Sequence, residues 1–204
     1  EKIEALKDHD LDLWKVYARG MTGRIEGLVL RKWYITNEDF TDKKLIGYGM
    51  DFGFSNDPST LVEVRMQDGE LWVKELIYDT GMTNNDISHR MEALNVSRGS
   101  LIVADSSEPK SIEELRRMRW TIDGVKKGSD SIMFGINLLK GYKINVHSSS
   151  KNLIKELEQY KWKVDRAGKS LNVPVDNYNH AIDALRYLVM HKFSKKGYGK
   201  YTIV

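Results

Sequence analysis

The chain has 204 residues, of which 41% are hydrophobic and 30% are charged, a balance that excludes a disordered chain and predicts one main domain with extra segments. Its 32 basic and 29 acidic residues leave a net charge of only +3, so any nucleic-acid binding has to come from a local basic surface. The absence of cysteine excludes disulfides, a thiol nucleophile and cysteine-bound zinc.

The sequence also lacks the signals of a membrane or secreted protein. No apolar stretch approaches the roughly 20 residues that a membrane helix needs, and residues 1–4 (EKIE) do not begin a signal peptide. We therefore expect a soluble intracellular protein. Because the chain starts at Glu1 rather than at a methionine, we also expect a fragment whose upstream part is missing.

The first part of the chain is expected to be a connector, and the core is expected to begin after it. Residues 1–44 combine a short amphipathic start with a glycine-spaced stretch at 19–27 that indicates turns. Three extended runs then predict strands at 45–54, 60–67 and 70–78. Asp68 and Gly69 form a hairpin turn signal between the last two runs, so we expect these strands to be antiparallel.

Helices and strands alternate in the rest of the chain. The predicted elements are a helix at 84–94, a strand at 101–104, a helix from Pro109, a helix through Ile132 and Leu139, a strand at 143–146 and a helix at 152–160. A second hairpin is predicted at 161–173, and the final helix, 177–193, is apolar nearly all round and should be buried. This order predicts a mixed α/β sheet flanked by helices. Residues 194–204 are expected to form a flexible basic tail.

Three aspartates stand where apolar segments would bury them. Asp51 ends a strand, Asp105 follows a buried strand at the end where open α/β sheets bind ligands, and Asp183 lies on the final helix. Buried carboxylates need compensating cations. Carboxylate oxygens suit Mg²⁺ or Mn²⁺ better than zinc, and two such ions about 4 Å apart can hydrolyse a phosphodiester. The pattern therefore predicts a two-metal phosphodiesterase site.

Each aspartate also has a structural interpretation. Asp51 could cap a loop, Asp105 could cap the next helix, and Asp183 could simply pair with Arg186 three residues later. The secondary metal-binding candidates are Asp57, Glu108 and His180. His180 is also a candidate for handling a proton in catalysis, because it lies on the same side of the helix as Asp183.

Two basic segments are candidates for DNA binding. Lys126, Lys127 and Ser129 precede a helix, where ammonium and backbone N–H groups could hold a phosphate; the alternative is a solvated charged loop. The second segment is the predicted hairpin, which carries Lys161, Lys163, Arg166 and Lys169. Such phosphate contacts do not read the base sequence, so we expect weakly sequence-specific cutting.

Four ordered motifs carry a resemblance to a known family. They are residues 50–59 (MDFGFSNDPS), 103–110 (VADSSEPK), 125–132 (VKKGSDSI) and 177–187 (NYNHAIDALRY). From 45 to 193, the chain resembles the nuclease domain of tailed-phage large terminase subunits. That resemblance implies an RNase H-like fold with a central five-stranded mixed sheet and an extra β-hairpin before the last helix. It also implies that Asp51, Asp105 and Asp183 bind metal, and that residues 1–44 follow an ATPase domain.

The resemblance further implies a biological role. The enzyme would cut concatemeric double-stranded DNA during packaging into a procapsid, in the host cytoplasm and without secretion. Its expected partners are DNA, the ATPase domain of the same protein, the small terminase subunit and the portal protein. Two alternatives stay open: a recombination nuclease of the same fold class, such as a junction resolvase or transposase, and a non-catalytic docking module of a packaging motor.

Overall fold

A computed structural model describes residues 27–194, and the amphipathic start and basic tail predicted from the sequence lie outside these residues. The main sheet has seven strands. They are β1 (Trp33–Thr36), β2 (Lys44–Asp51), β3 (Ser59–Gln67), β4 (Glu70–Asp79), β5 (Ile102–Ala104), β6 (Ile122–Gly124) and β7 (Ile144–His147). Two further strands, β8 (Trp162–Val164) and β9 (Ser170–Pro174), form a separate hairpin.

The strand order in the main sheet is β1-β7-β4-β3-β2-β5-β6. β3 is antiparallel to both of its neighbours, and every other pair is parallel. Six strands therefore run in the same direction, and their carboxyl ends lie along one end of the sheet. Neighbouring strands can place side chains in a common site there. The predicted hairpin between β3 and β4 is confirmed, with Asp68 and Gly69 both at positive φ in its turn.

The mixed α/β class and the extra hairpin are confirmed, but the prediction of five strands is wrong for this sheet. The additional strands are β1 and β6, which pair with β7 and β5 at opposite edges. Each has only three or four residues, too few to give a recognisable alternation in the sequence. Residues 28–30 and Trp33 are buried in the core, so the segment before residue 45 contributes to the folded sheet.

Five helices cover the sheet within the described residues: α1 (Asn84–Ala93), α2 (Pro109–Arg117), α3 (Ser131–Lys140), α4 (Lys151–Gln159) and α5 (His180–Phe193). Thr83 and Asp86 form the predicted capping box of α1, and Pro109 opens α2 as expected. α5 begins at His180, three residues later than predicted. None of the helices between residues 27 and 194 has the length and hydrophobicity that a membrane crossing requires.

Helix α5 packs directly on β2, and Gly49 makes this close approach possible. A Cβ atom at Gly49 would lie 1.9 Å from the carbonyl oxygen of Ala184, far inside contact distance. The obstacle is helix backbone, which cannot rotate away as a side chain can. This contact sets the distance between the strand that carries Asp51 and the helix that carries Asp183.

We expect Gly49→Ala to destabilise the protein by about 3 kcal/mol or more, because β2 and α5 would have to separate. Urea unfolding followed by circular dichroism would measure the loss. Gly99→Ala is the control, because a Cβ atom there meets no atom within 4 Å. A Gly49→Ala variant as stable as this control would show that the contact between the strand and the helix is not tight.

Candidate active site

The pairing of β2 with β5 brings two of the predicted aspartates together. In this parallel pair, Met50 is opposite Ala104, so Asp51 and Asp105 follow side by side at the same edge of the sheet. The side chain of Asp51 is only 16% exposed. The strand-end positions predicted from the sequence are therefore occupied by neighbouring carboxylates.

Asp183 reaches the same region from α5, and it is paired with Arg186. The guanidinium donates a hydrogen bond from Nε to Oδ1 of the carboxylate at 3.1 Å, and its Nη2 atom forms an ion pair with Oδ2 at 2.9 Å. Arg186 is buried, and its side chain packs against Gly135 of α3. The structural interpretation of Asp183 as a partner of Arg186 is thus realised, while the aspartate still lines the cleft described next.

An open cleft of about 640 Å³ contains most of the acidic candidates. Its walls include Asp51, Asp57, His180 and Asp183, together with Tyr78 of β4. The Nδ1 atom of His180 lies 3.3 Å from Oδ2 of Asp51, and its Nε2 atom lies 3.7 Å from Oδ1 of Asp57. Asp57 is mostly exposed, so it stands at the rim of the cleft.

The environment of Asp51 is strongly acidic. Burial raises the pKa of Asp51, and the charges of Asp183 and Asp105 raise it further, while the hydrogen bond with His180 acts in the opposite direction. The same hydrogen bond raises the pKa of His180 against the effect of its own burial. The three carboxylates therefore act on one another electrostatically, although they come from three separate elements.

Asp105 is held by basic and hydroxyl donors. Its Oδ1 atom lies 2.5 Å from Nζ of Lys127 and accepts the backbone N–H of Ser107, and its Oδ2 atom accepts the hydroxyl of Tyr187 at 3.1 Å. Burial opposes ionisation of Asp105, but Lys127 and Ser107 outweigh it and lower its pKa to about 2. Asp105 is therefore ionised at any physiological pH.

The donor set fits hard divalent cations. Asp51, Asp105 and Asp183 offer carboxylate oxygens, and the mutual repulsion seen at Asp51 is the condition that a bound cation relieves. Among residues 27–194, no three acidic or histidine side chains lie close enough together in this structure to hold a metal ion as they are arranged. Lys127 and Arg186 are the cations that contact two of these carboxylates.

The structure places the remaining candidates around this cluster. Glu108 precedes α2 and lines a different cleft, together with Phe52, Gly53 and the start of α1. Lys126 and Ser129 line a cavity of about 780 Å³ at the start of α3. Lys127, predicted only to contact DNA, instead points at Asp105.

The basic residues of the hairpin are all exposed: Lys161, Lys163, Arg166 and Lys169. Hydrogen bonds from Trp162 N to the Gly27 carbonyl and from Val29 N to the Tyr160 carbonyl attach the hairpin to the start of the described chain. Residues 176–179, directly after the hairpin, line the cleft that contains Asp51. The hairpin is therefore connected to the acidic cleft by residues 176–179, which follow it in the chain.

Sequence reasoning did not assign a role to two tyrosines near the acidic residues, Tyr78 and Tyr187. Tyr187 bonds Asp105 and lies one helical turn after Asp183, so its spacing on an otherwise apolar helix was a usable signal. Tyr78 ends an ordinary strand, and nothing in its sequence context distinguishes it. Its location beside the cleft depends on the packing of β4 against β3 and α4.

The comparisons with known proteins agree with this geometry. The family model described as "Terminase RNAseH like domain" matches residues 51–191. The chain is 26% identical over 137 residues to the PBSX phage terminase large subunit of Bacillus subtilis (strain 168), a match that covers 62% of this chain. Only 31% of that relative is spanned, so the chain corresponds to about a third of its length.

Solved structures show the same fold. The nuclease domain of the large terminase g2p from bacteriophage SPP1, crystallised with bound Mn, is 25% identical, with a TM-score of 0.69 over 79% of this chain and 97% of that one. The large terminase of a thermophilic bacteriophage is 20% identical, with a TM-score of 0.64 over 92% of this chain and 51% of that one. The RNase H-like fold expected from the sequence is confirmed, and the chain belongs to the family of terminase RNase H-like domains.

Proposed function

We propose that this chain is a metal-dependent endonuclease domain that cuts concatemeric double-stranded viral DNA during genome packaging. The observation that carries the proposal is the convergence of three carboxylates: the half-buried Asp51 lines an open cleft with Asp183 and stands beside Asp105 at the end of the neighbouring strand, and the charges of both raise its pKa. Burial and nearby negative charges oppose the ionisation of this carboxylate, and a bound cation would offset both effects. This is the environment expected at a site that binds cations. The match to terminase nuclease domains supports DNA as the substrate.

Asp51, Asp105 and Asp183 would hold two Mg²⁺ or Mn²⁺ ions, which when bound would lower the pKa of a water and stabilise the leaving oxygen. The Mn bound to the SPP1 nuclease domain supports divalent metal use. His180 lies against Asp51 and can accept or hold a proton at the cleft. Lys127 places an ammonium group beside Asp105, where it would attract a phosphate.

The wider role extends beyond this chain. Because the chain spans about a third of the PBSX relative, an ATPase domain in the same protein remains a proposal. The large terminase of the thermophilic bacteriophage, which was also solved in complex with ADP, supports it. We propose the small terminase subunit and the portal protein as further partners, and the host cytoplasm at the procapsid as the location.

The proposal is tested by incubating the domain with supercoiled plasmid, linear duplex and a four-way junction, in Mn²⁺ or Mg²⁺ and with or without chelator. We expect metal-dependent cutting of plasmid and linear duplex without preference for the junction. Preferential junction cleavage would favour a recombination nuclease. Folded protein that neither binds metal nor cuts any substrate would contradict the enzyme and favour a docking module.

The hairpin should contribute to DNA binding through phosphate contacts. We expect the double variant Lys163→Gln/Arg166→Gln to weaken duplex binding and to reduce the slope of log Kd against log salt by about 2, one for each lost phosphate contact. Fluorescence anisotropy at several salt concentrations measures both quantities.

A control with the same charge change separates local contact from net charge. Lys44, where β2 begins, and Arg90, on α1, are both exposed, and neither lines the pocket around Trp162 of the hairpin. The variant Lys44→Gln/Arg90→Gln should leave the salt slope nearly unchanged. Equal slopes for the two double variants would mean that the hairpin does not contact the DNA.

A further inference from the structure

Glu156 of α4 is a buried charged side chain outside the acidic cleft. It is only 2% exposed, yet both of its carboxylate oxygens are used. Oε2 accepts the backbone N–H of Ile182 at 3.0 Å, and Oε1 accepts the hydroxyl of Tyr78 at 2.9 Å. The backbone N–H of Ala181 also bonds to this carboxylate.

These bonds supply a cap that α5 does not make for itself. The first N–H groups of a helix have no partner within the helix. Asn179, the residue before α5, makes no capping bond with its side chain. Glu156 satisfies the N–H groups of Ala181 and Ile182 from a neighbouring helix, and its negative charge faces the positive end of the α5 dipole.

The capped turn is the one that carries the site. His180 is the first residue of α5, and Asp183 follows one turn later. The hydroxyl of Thr60 also donates to the carbonyl of His180 at 3.2 Å, so this turn is fixed to β3 as well as to α4. A shift of the turn would move His180 and Asp183 relative to Asp51.

We propose that Glu156 is a positioning residue that sets the metal-binding geometry of Asp183 and His180 by capping α5 from α4. The inference rests on the proposed metal role of Asp183. Partners behind metal ligands typically change metal affinity by about 10- to 100-fold when they are lost. Glu156 acts in the same way through the backbone of the helix that carries the ligand.

The chain contains a matched control for this cap. Thr83 caps α1, away from α4 and α5: its hydroxyl accepts the backbone N–H of Asp86 at 3.2 Å, and the Asp86 carboxylate accepts the backbone N–H of Thr83 at 2.9 Å. Removing the Thr83 hydroxyl therefore costs a helix cap on a helix that carries neither a proposed ligand nor Glu156.

The test measures Mn²⁺ affinity by calorimetry and unfolding by urea for Glu156→Ala, Glu156→Gln and Thr83→Ala, under conditions where each protein is folded. We expect Glu156→Ala to weaken Mn²⁺ binding by about tenfold. Glu156→Gln keeps an acceptor oxygen and should stay within about threefold of the wild type. Thr83→Ala should lose stability but keep Mn²⁺ affinity within about twofold, since it leaves both α4 and the cap of α5 in place.

Each outcome decides the inference. Unchanged Mn²⁺ affinity in Glu156→Ala, or equal weakening in Thr83→Ala, would reduce Glu156 to a stabilising residue. Equal weakening of Mn²⁺ binding in Glu156→Ala and Glu156→Gln would show that the negative charge of Glu156, and not its hydrogen bonds to α5, affects metal affinity, and would contradict the capping role. If Glu156→Ala does not fold, Glu156→Asp replaces it, because the shortened side chain withdraws the carboxylate and should also weaken Mn²⁺ binding. Wild-type protein that binds no Mn²⁺ would overturn the proposed function itself.

Discussion

Asp51→Asn is expected to reduce metal-dependent DNA cleavage by about 10³-fold or more. The neutral amide lacks the negative charge that metal binding needs, and the loss of the metal removes several kcal/mol of transition-state stabilisation. The protein should remain folded. Burial and the charges of Asp105 and Asp183 raise the pKa of Asp51, so its ionised form destabilises the folded state at neutral pH, and removing the charge does not weaken folding.

Initial rates of plasmid nicking in Mn²⁺, combined with urea unfolding in chelator, separate the two effects. Asp57→Asn is the control, because the side chain of Asp57 is 71% exposed at the rim of the same cleft. We expect it to retain activity within about tenfold of the wild type. An Asp51→Asn protein with more than about a tenth of the wild-type rate would remove Asp51 from the catalytic assignment.

Arg186→Met is expected to destabilise the folded domain by about 3–5 kcal/mol, which is the usual cost of removing one partner of a buried ion pair. Arg186 is 2% exposed, and methionine can fill the space of its aliphatic stem. The loss comes from Asp183, whose carboxylate would lose the guanidinium that now pairs with it.

A double-mutant cycle in chelator measures this coupling. Asp183→Asn and the double variant Arg186→Met/Asp183→Asn complete the cycle, and we expect the double variant to recover part of the stability that Arg186→Met loses. A loss below about 1 kcal/mol in Arg186→Met would show that Asp183 does not depend on Arg186. Cleavage by Asp183→Asn at the wild-type rate would leave the ion pair as the whole role of Asp183.

Local sequence signals were sufficient for most of the elements. The Asp68-Gly69 turn, the capping box at Thr83 and Asp86, and Pro109 at the start of α2 each act within a few residues, so their structures follow from the sequence itself. The short edge strands β1 and β6 did not give such a signal. They are strands because β7 and β5 offer unpaired edges, which is a property of the assembled sheet.

The roles of the site residues divide in the same way. The positions of Asp51 and Asp105 at strand ends were readable, because an apolar run followed by a carboxylate is a local pattern. The partners of these groups were not readable: Lys127 reaches Asp105 from the loop after β6, and Tyr187 reaches it from α5. These contacts join residues that are far apart in the chain.

The sequence by itself determined the order of the elements, the acidic character of the site and, through its motifs, the family. The tertiary structure decided which groups act together: Asp105 with Lys127, Asp183 with Arg186, and Glu156 with the first turn of α5. The physical reason is that secondary structure and turns depend on neighbouring residues, whereas the pKa of a buried carboxylate and the cap of a helix depend on whatever group packing brings within hydrogen-bond distance.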